Sequence, residues 1–72
     1  MSTIRDNYRD VARYLSEQRK PVFEEIEVRD AFADVMDLDH MPTVSAHISR
    51  MIRWGYLQRD EGGAYQLTGA SQ

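Results

Sequence analysis

The stretch PTVSAHISRMIRWGYLQRDEGGAYQLT, residues 42–68, decides the fold. Its first half predicts a helix over residues 42–54, because four apolar side chains recur at the spacing of one helical stripe: Val44, Ile48, Met51 and Ile52. Gly55 is expected to end this helix, and a strand-like alternation follows on both sides of a glycine-containing turn at residues 60–63. The stretch therefore predicts a helix followed at once by a β-hairpin.

The helix face opposite the apolar stripe is small and basic. It carries Pro42, Ala46, Ser49 and Arg53, flanked by Ser45 and Arg50. No Asp or Glu occurs anywhere in residues 41–59. A helix of this kind, ending in a hairpin, is suited to entering a groove of DNA.

Length and composition limit the class of protein. Seventy-two residues predict a single domain, residues 1–72, that must bury nearly all of its apolar side chains in one core. Cysteine is absent, which excludes disulfides and thiolate zinc sites. No apolar run reaches the ~18 residues of a membrane span and no signal peptide is visible, so we expect a cytoplasmic protein of a prokaryotic cell or a virus-infected host cell. Residues 69–72 are expected to be frayed.

Charge is distributed unevenly along the chain. The formal net charge is −3, which by itself argues against nucleic acid as a partner. Residues 1–40 hold ten acidic and six basic residues, whereas residues 41–72 hold three arginines and two acidic residues. The asymmetry favours the C-terminal stretch as the surface that meets a polyanion.

Two further helices are predicted upstream. Thr3 and Asp6 have the spacing of a capping box, and the helix that follows has one apolar face: Ile4, Tyr8, Val11, Ala12 and Leu15. Pro21 ends it, and residues 22–23 are expected to form a very short strand. The second helix has its own apolar pattern: Val28, Ala31, Phe32, Val35 and Met36.

Two points in the middle of the chain stay open at this stage. Residues 24–27 belong either to a strand or to the second helix, and we expect Ile26 to be buried in both cases. The third helix is capped either by Asp39, with Pro42 in its first turn, or by Thr43, with Pro42 just outside.

From about residue 28 to residue 68 the chain resembles the winged helix-turn-helix domains of prokaryotic transcriptional regulators. The likeness is carried by Thr43, Val44 and Ser45, by Met51 and Ile52, by Gly55, Tyr56 and Leu57, and by Tyr65, Gln66, Leu67 and Thr68. It implies an α+β fold, a three-helix winged helix-turn-helix domain with a C-terminal two-stranded β-hairpin wing over residues 56–68. Two features depart from the family: a long turn over residues 37–42, and Asp60 and Glu61 at the wing tip.

The resemblance also implies a function and a site. The function is sequence-specific binding of double-stranded DNA by a small transcriptional regulator, or by an accessory factor in recombination or replication. The third helix, residues 42–54, would lie in the major groove, with the wing flanking it. The implied contact residues are Thr43, Ser45, Ala46 and Ser49 for close approach, Arg50 and Arg53 for bases or phosphates, and Arg59 on the wing.

Other site chemistries find little support in the residues. His40 is expected to be solvated and His47 to be a partly buried packing residue, and two lone histidines do not make a metal site. Trp54 is expected to cover the junction of helix and wing. The acidic residues at 24, 25 and 27 have no nucleophile or glycine loop nearby, so we expect no enzyme, no cofactor and no small-molecule substrate.

Two predictions concern protein partners. Because few cations face the DNA, we expect a homodimer on adjacent half-sites, formed through the first helix with Tyr8 and Tyr14. The alternative to DNA binding is a winged helix protein-interaction module, or an acidic DNA mimic, since the first half of the chain and the wing tip are acidic.

Overall fold

The computed structural model of the protein describes residues 3–68, and the predicted tail at residues 69–72 lies outside them. The elements follow in the order α1 (Ile4–Ser16), α2 (Glu25–Met36), α3 (Met41–Arg53), β1 (Leu57–Arg59) and β2 (Tyr65–Leu67). The two strands pair antiparallel. This confirms the predicted α+β layout of three helices and a C-terminal hairpin. None of the helices within residues 3–68 combines the length and the apolar character that a membrane span requires.

The start of α1 follows from a capping box, as predicted. The Thr3 hydroxyl accepts a hydrogen bond from the Asp6 backbone N–H at 3.1 Å, and the Thr3 N–H donates to Asp6 Oδ2 at 3.2 Å. Two backbone donors at the helix end are thereby satisfied. The predicted apolar face is buried at Tyr8, Val11, Ala12 and Leu15, with Ile4 packed at its edge.

The open assignment of residues 24–27 is settled in favour of helix. Glu24 is the N-cap of α2, and its N–H donates to Glu27 Oε2 at 2.9 Å. The prediction that Ile26 is buried is wrong, because its side chain is 47% exposed. Residues two apart on a helix point to nearly opposite sides, so burial of Val28 directs Ile26 towards solvent.

The connection between α2 and α3 is shorter than predicted and comprises only residues 37–40. Asp37 adopts a left-handed conformation (φ 54°, ψ 42°), which turns the chain away from α2 immediately. The N-cap of α3 is His40, without a side-chain hydrogen bond, so neither Asp39 nor Thr43 is the cap. Pro42 lies in the first turn, where a helix leaves backbone N–H groups unpaired and proline loses nothing.

Gly55 ends α3 in the manner predicted for it. Its φ of 87° is left-handed, and the Tyr56 N–H donates to the Met51 carbonyl at 2.8 Å. The Gly55 N–H donates to the Ile52 carbonyl at 3.2 Å, which completes a Schellman motif. The chain therefore reverses directly from the helix into β1.

The hairpin is closed by its turn and anchored to the α1–α2 connection through Tyr65, the first residue of β2. The Asp60 N–H donates to the Ala64 carbonyl at 2.8 Å, and the Gly63 N–H donates to the Asp60 carbonyl at 3.1 Å. Asp60 Oδ1 also accepts a hydrogen bond from the Ala64 N–H at 2.9 Å. At the other side of β2, Phe23 and Tyr65 exchange two backbone hydrogen bonds of 2.8 and 2.7 Å. The short strand predicted at residues 22–23 is thus a single-residue bridge that joins the α1–α2 connection to the wing.

One core connects all five elements. Tyr8 is completely buried, and its ring lies against Phe32, His47, Trp54 and Tyr56. The predicted α3 stripe is buried at Val44, Ile48 and Met51. Burial of the fourth member, Ile52, is not observed, since its side chain is 37% exposed at the edge of the stripe.

The hairpin tip gives a test of the turn. Gly63 has a φ of 86° and open space where a Cβ would lie, so Gly63→Ala introduces backbone strain without a steric clash. We expect it to lower the free energy of unfolding by about 1 kcal/mol. The matched control is Gly62→Ala, whose Cβ would lie at an ordinary 3.5 Å from Asp60 Oδ1. Urea unfolding should separate the two variants, and equal stabilities would contradict this account of the turn.

Candidate nucleic-acid interface

The predicted contact residues form one exposed surface on α3. Every member of the set is exposed on that helix: Thr43, Ser45, Ala46, Ser49, Arg50 and Arg53. They are directed outward because the opposite stripe of the helix is fixed in the core. The remaining predicted residue, Arg59, is exposed on β1. We call these six α3 residues the α3 face.

The side chains in the middle of the α3 face are short. Ser45, Ala46 and Ser49 are small, so the helix backbone can come close to another surface there. The two serine hydroxyls can donate and accept hydrogen bonds. Arg50 and Arg53 lie in the last turn of α3, where positive charge interacts favourably with the helix dipole.

The two arginines of the α3 face have different surroundings. Arg53 lies opposite the buried stripe and makes no ion pair within residues 3–68. The guanidinium of Arg50 instead lies over the indole of Trp54, with its carbon 5.8 Å from the ring centroid. Burial raises the pKa of the Tyr8 hydroxyl, and the nearby charge of Arg50 opposes that rise. Arg50 is therefore directed towards α1, whereas Arg53 is directed away from the core.

Trp54 packs against α1 at the end of α3 and also contacts a cation from α1, whereas its predicted cover of the helix–wing junction stays a prediction. Its partly buried ring lies 5.5 Å from the ring of Tyr8, centroid to centroid. The guanidinium carbon of Arg5, in the first turn of α1, lies 4.6 Å from the same indole. Sequence reasoning missed Arg5, because its position beside Trp54 depends on how α1 packs against α3 and leaves no local pattern.

His47 is a packing residue, as predicted. Its Nδ1 lies 2.6 Å from the Tyr8 hydroxyl, and its ring stacks on Phe32 at 5.8 Å. Burial lowers the pKa of His47, and the charge of Arg50 lowers it further. The same contact removes Tyr8 from any surface, so its predicted part in a dimer contact is wrong: the ring is needed in the core. His40 is exposed, as expected.

The wing presents one exposed arginine, Arg59, and one exposed acidic residue, Glu61. The guanidinium of Arg59 lies 5.4 Å from the centroid of the Tyr65 ring and donates a 3.3 Å hydrogen bond to the Tyr65 hydroxyl. Of the two acids at the wing tip, Asp60 is engaged with the Ala64 backbone, and Glu61 is exposed. Turn geometry therefore accounts for the acidic residue at position 60 of the wing tip, but not for the one at position 61.

Acidic side chains do not neutralise the arginines of this surface. The ion pairs formed within residues 3–68 are Arg9–Asp6 at 3.9 Å and Lys20–Glu27, neither of which involves α3 or the wing. The hydrogen bond from Lys20 lowers the pKa of the Glu27 carboxyl. Across the same part of the chain, His, Asp and Glu side chains form no cluster that could hold a metal ion.

The lowered pKa of His47 predicts a pH dependence of stability. As pH falls below the ordinary value of 6.5, the unfolded chain binds a proton that folded His47 resists, so the free energy of unfolding decreases until the folded pKa is reached. We expect wild-type protein to lose stability over this window, as measured by urea unfolding. His47→Gln should lose less over the same window, and His40→Gln, an exposed control, should behave like wild type. Parallel curves for wild type and His47→Gln would contradict the prediction.

Comparisons with known proteins do not extend this picture. No protein-family model, curated protein or solved structure matches the chain. The function is therefore inferred from the chemistry of the α3 face and of the cations that surround it.

Proposed function

We propose that this chain is a winged helix-turn-helix protein that binds double-stranded DNA in a sequence-specific manner. The observation that carries the proposal is the exposed, acid-free α3 face, whose Arg50 and Arg53 have no acidic partner within residues 3–68. A surface of small residues and unpaired arginines on a firmly packed helix fits the shape and charge of the major groove.

In this mechanism α3 is the recognition helix. Thr43, Ser45 and Ser49 bring hydroxyls close to bases and phosphates, and Ala46 leaves room for a thymine methyl group. Arg53, which points away from the core, is the residue best placed to form a bidentate contact with a guanine edge.

The hairpin acts as the wing beside α3. Arg59 would contact the backbone or the minor groove that flanks the recognition site. Its stacking on Tyr65 restricts the side chain before binding, and the bridge from Tyr65 to Phe23 fixes the hairpin against the helices. Restraint of this kind reduces the entropy lost when DNA binds.

We assign the protein to regulation of transcription, or to assisting recombination or replication, in the cytoplasm of a prokaryotic cell or a virus-infected host cell. Binding alone performs the function: it blocks or marks a DNA site, with no chemical step and no cofactor. The effect on transcription then follows from what the bound protein excludes from the site.

Dimerisation through α1 forms part of the proposal. With Tyr8 buried, the contact centres on partly exposed Tyr14, beside a small groove lined by Leu15, Gln18, Glu27 and Asp30. Arg5 lies nine residues before Tyr14, about 13 Å along the axis and on the opposite side of the helix. The dimer contact therefore does not involve the side of α1 on which Arg5 lies against Trp54.

A protein-interaction module, or in the extreme an acidic DNA mimic, is the second candidate. The observation in its favour is the exposed acidic surface of α2 and its flanks, formed by Glu24, Glu25, Asp30, Asp34, Asp37 and Asp39. Such a surface repels phosphate and attracts basic partners. Asp37 and Asp39 lie in the connection that leads into α3. DNA binding is preferred because α3 itself contains no acidic residue and its arginines form no ion pair within residues 3–68.

DNA binding is tested by titrating a labelled mixed-sequence duplex with the protein at low and moderate salt, followed by anisotropy. We expect binding that weakens steeply with salt. A duplex that wild type selects from a random DNA pool then tests base contacts. On it Arg53→Ala should weaken binding by about tenfold or more, because a bidentate base contact contributes about 1–3 kcal/mol.

The matched control is Arg13→Ala, which removes an exposed arginine from α1 and leaves α3 untouched. It should bind DNA almost as wild type does. No binding by wild type at low salt, or equal effects of the two substitutions, would refute the proposal and favour the protein-interaction module.

Dimerisation is tested separately by sedimentation equilibrium. We expect a mass above the 8.4 kDa of the monomer at high micromolar concentration. Tyr14→Gln should shift the protein towards monomer, whereas Ile52→Ser, which removes an exposed apolar side chain from α3, should not. A strict monomer at these concentrations would contradict the proposed contact.

A further inference from the structure

Two arginines from different helices share one aromatic ring. Arg5 and Arg50 place their guanidinium carbons 4.6 and 5.8 Å from the centroid of the Trp54 indole. Both side chains are exposed, and neither forms an ion pair within residues 3–68. Two positive charges therefore lie beside one indole, on a chain whose net charge is −3. We call these three residues the Trp54 cluster.

The acid nearest in sequence to this cluster is engaged elsewhere. Asp6 follows Arg5 directly, yet its Oδ2 accepts the Thr3 N–H and its Oδ1 lies 3.9 Å from Arg9. The capping box therefore directs the Asp6 carboxylate to the helix end and leaves the charge of Arg5 unneutralised.

The position of the cluster decides which anion it suits. It lies at the C-terminal end of α3, beyond the small residues of the α3 face, where the helix dipole is negative. An anion there depends on side-chain cations, and two arginines supply them. Stacking on Trp54 restricts both guanidinium groups while leaving their N–H groups able to bind oxygen.

We infer that Arg5 and Arg50 together hold a backbone phosphate of the DNA duplex at the edge of the groove that α3 enters. The inference rests on the proposed function and extends it, because it brings α1 into the interface. Arg50 then positions the protein on the backbone, and base reading falls to Arg53 and the small residues. Contacts to phosphate fix the register of a recognition helix without carrying sequence information.

Trp54 provides a direct probe of this site, since it is the single tryptophan in the chain. A phosphate that draws the two guanidinium groups towards itself changes the surroundings of the indole. Its fluorescence should therefore change when duplex DNA is added. Inorganic phosphate at the same phosphate concentration should produce no such change, because it lacks the contacts that α3 and the wing make with a duplex.

The decisive experiment compares Arg5→Gln, Arg5→Lys and the control Arg13→Gln by duplex titration over a range of salt concentrations. Loss of one phosphate contact should make the negative slope of log K against log[salt] shallower by about 0.9. This corresponds to roughly eightfold weaker binding at about 0.1 M salt. Arg5→Gln should show this loss. Arg5→Lys should retain most of the slope, and Arg13→Gln should match wild type.

The outcomes separate this inference from the proposed function. If wild type binds and depends on Arg53, but Arg5→Gln and Arg13→Gln have equal salt slopes, the phosphate site is refuted and the proposed function stands. If inorganic phosphate reproduces the Trp54 change at the same concentration, the cluster is a free-anion site and the inference also fails. If wild type does not bind duplex DNA at low salt, both fail. Thermal unfolding of each variant checks that fold loss does not cause the effect.

Discussion

The structure depends on one buried tyrosine. Tyr8 of α1 has no exposed surface, and its ring contacts an aromatic residue from α2, from α3 and from the turn into the wing. Its hydroxyl is a polar atom in an apolar core, where an unsatisfied group costs about 1–3 kcal/mol. The 2.6 Å contact with His47 satisfies it and fixes the rotation of α3 against α1. Packing and polar satisfaction are thus achieved by one pair of residues.

The same pair determines what α3 presents to solvent. With His47 held against Tyr8, the following turn of the helix brings Arg50 and then Trp54 alongside α1, within reach of Arg5. The rest of the face is directed away from the core. A change that rotates α3 would therefore alter the exposed surface and the cation cluster together, so stability and the proposed DNA contact are not independent properties of this chain.

Sequence reasoning worked where a structural signal is local. The capping box at Thr3 and the break at Gly55 each involve neighbouring residues, and both were located correctly. The predicted burial of Ile26 was wrong, because burial depends on how the helix is rotated against the core. The length of the α2–α3 turn was also wrong, because Asp37 adopts a left-handed conformation that no glycine signals in the sequence. The exposure of the α3 face was predictable from the helical spacing of the apolar residues alone. The position of Arg5 was not, because no periodicity links α1 to the end of α3.

The acidic character of the scaffold becomes intelligible once the charges are placed in space. In the proposed complex the arginines that would face DNA are Arg5, Arg50, Arg53 and Arg59, a small number of cations for holding a polyanion. Acidic side chains on α2 disfavour any approach in which that helix meets the backbone, so they restrict the orientation in which the cations can act. With so few cations, non-specific affinity for DNA would be low, because few counterions would be released on binding. Under the proposed function such an arrangement would retain sequence discrimination, because binding would require base contacts at α3 and phosphate contacts at its edge at the same time.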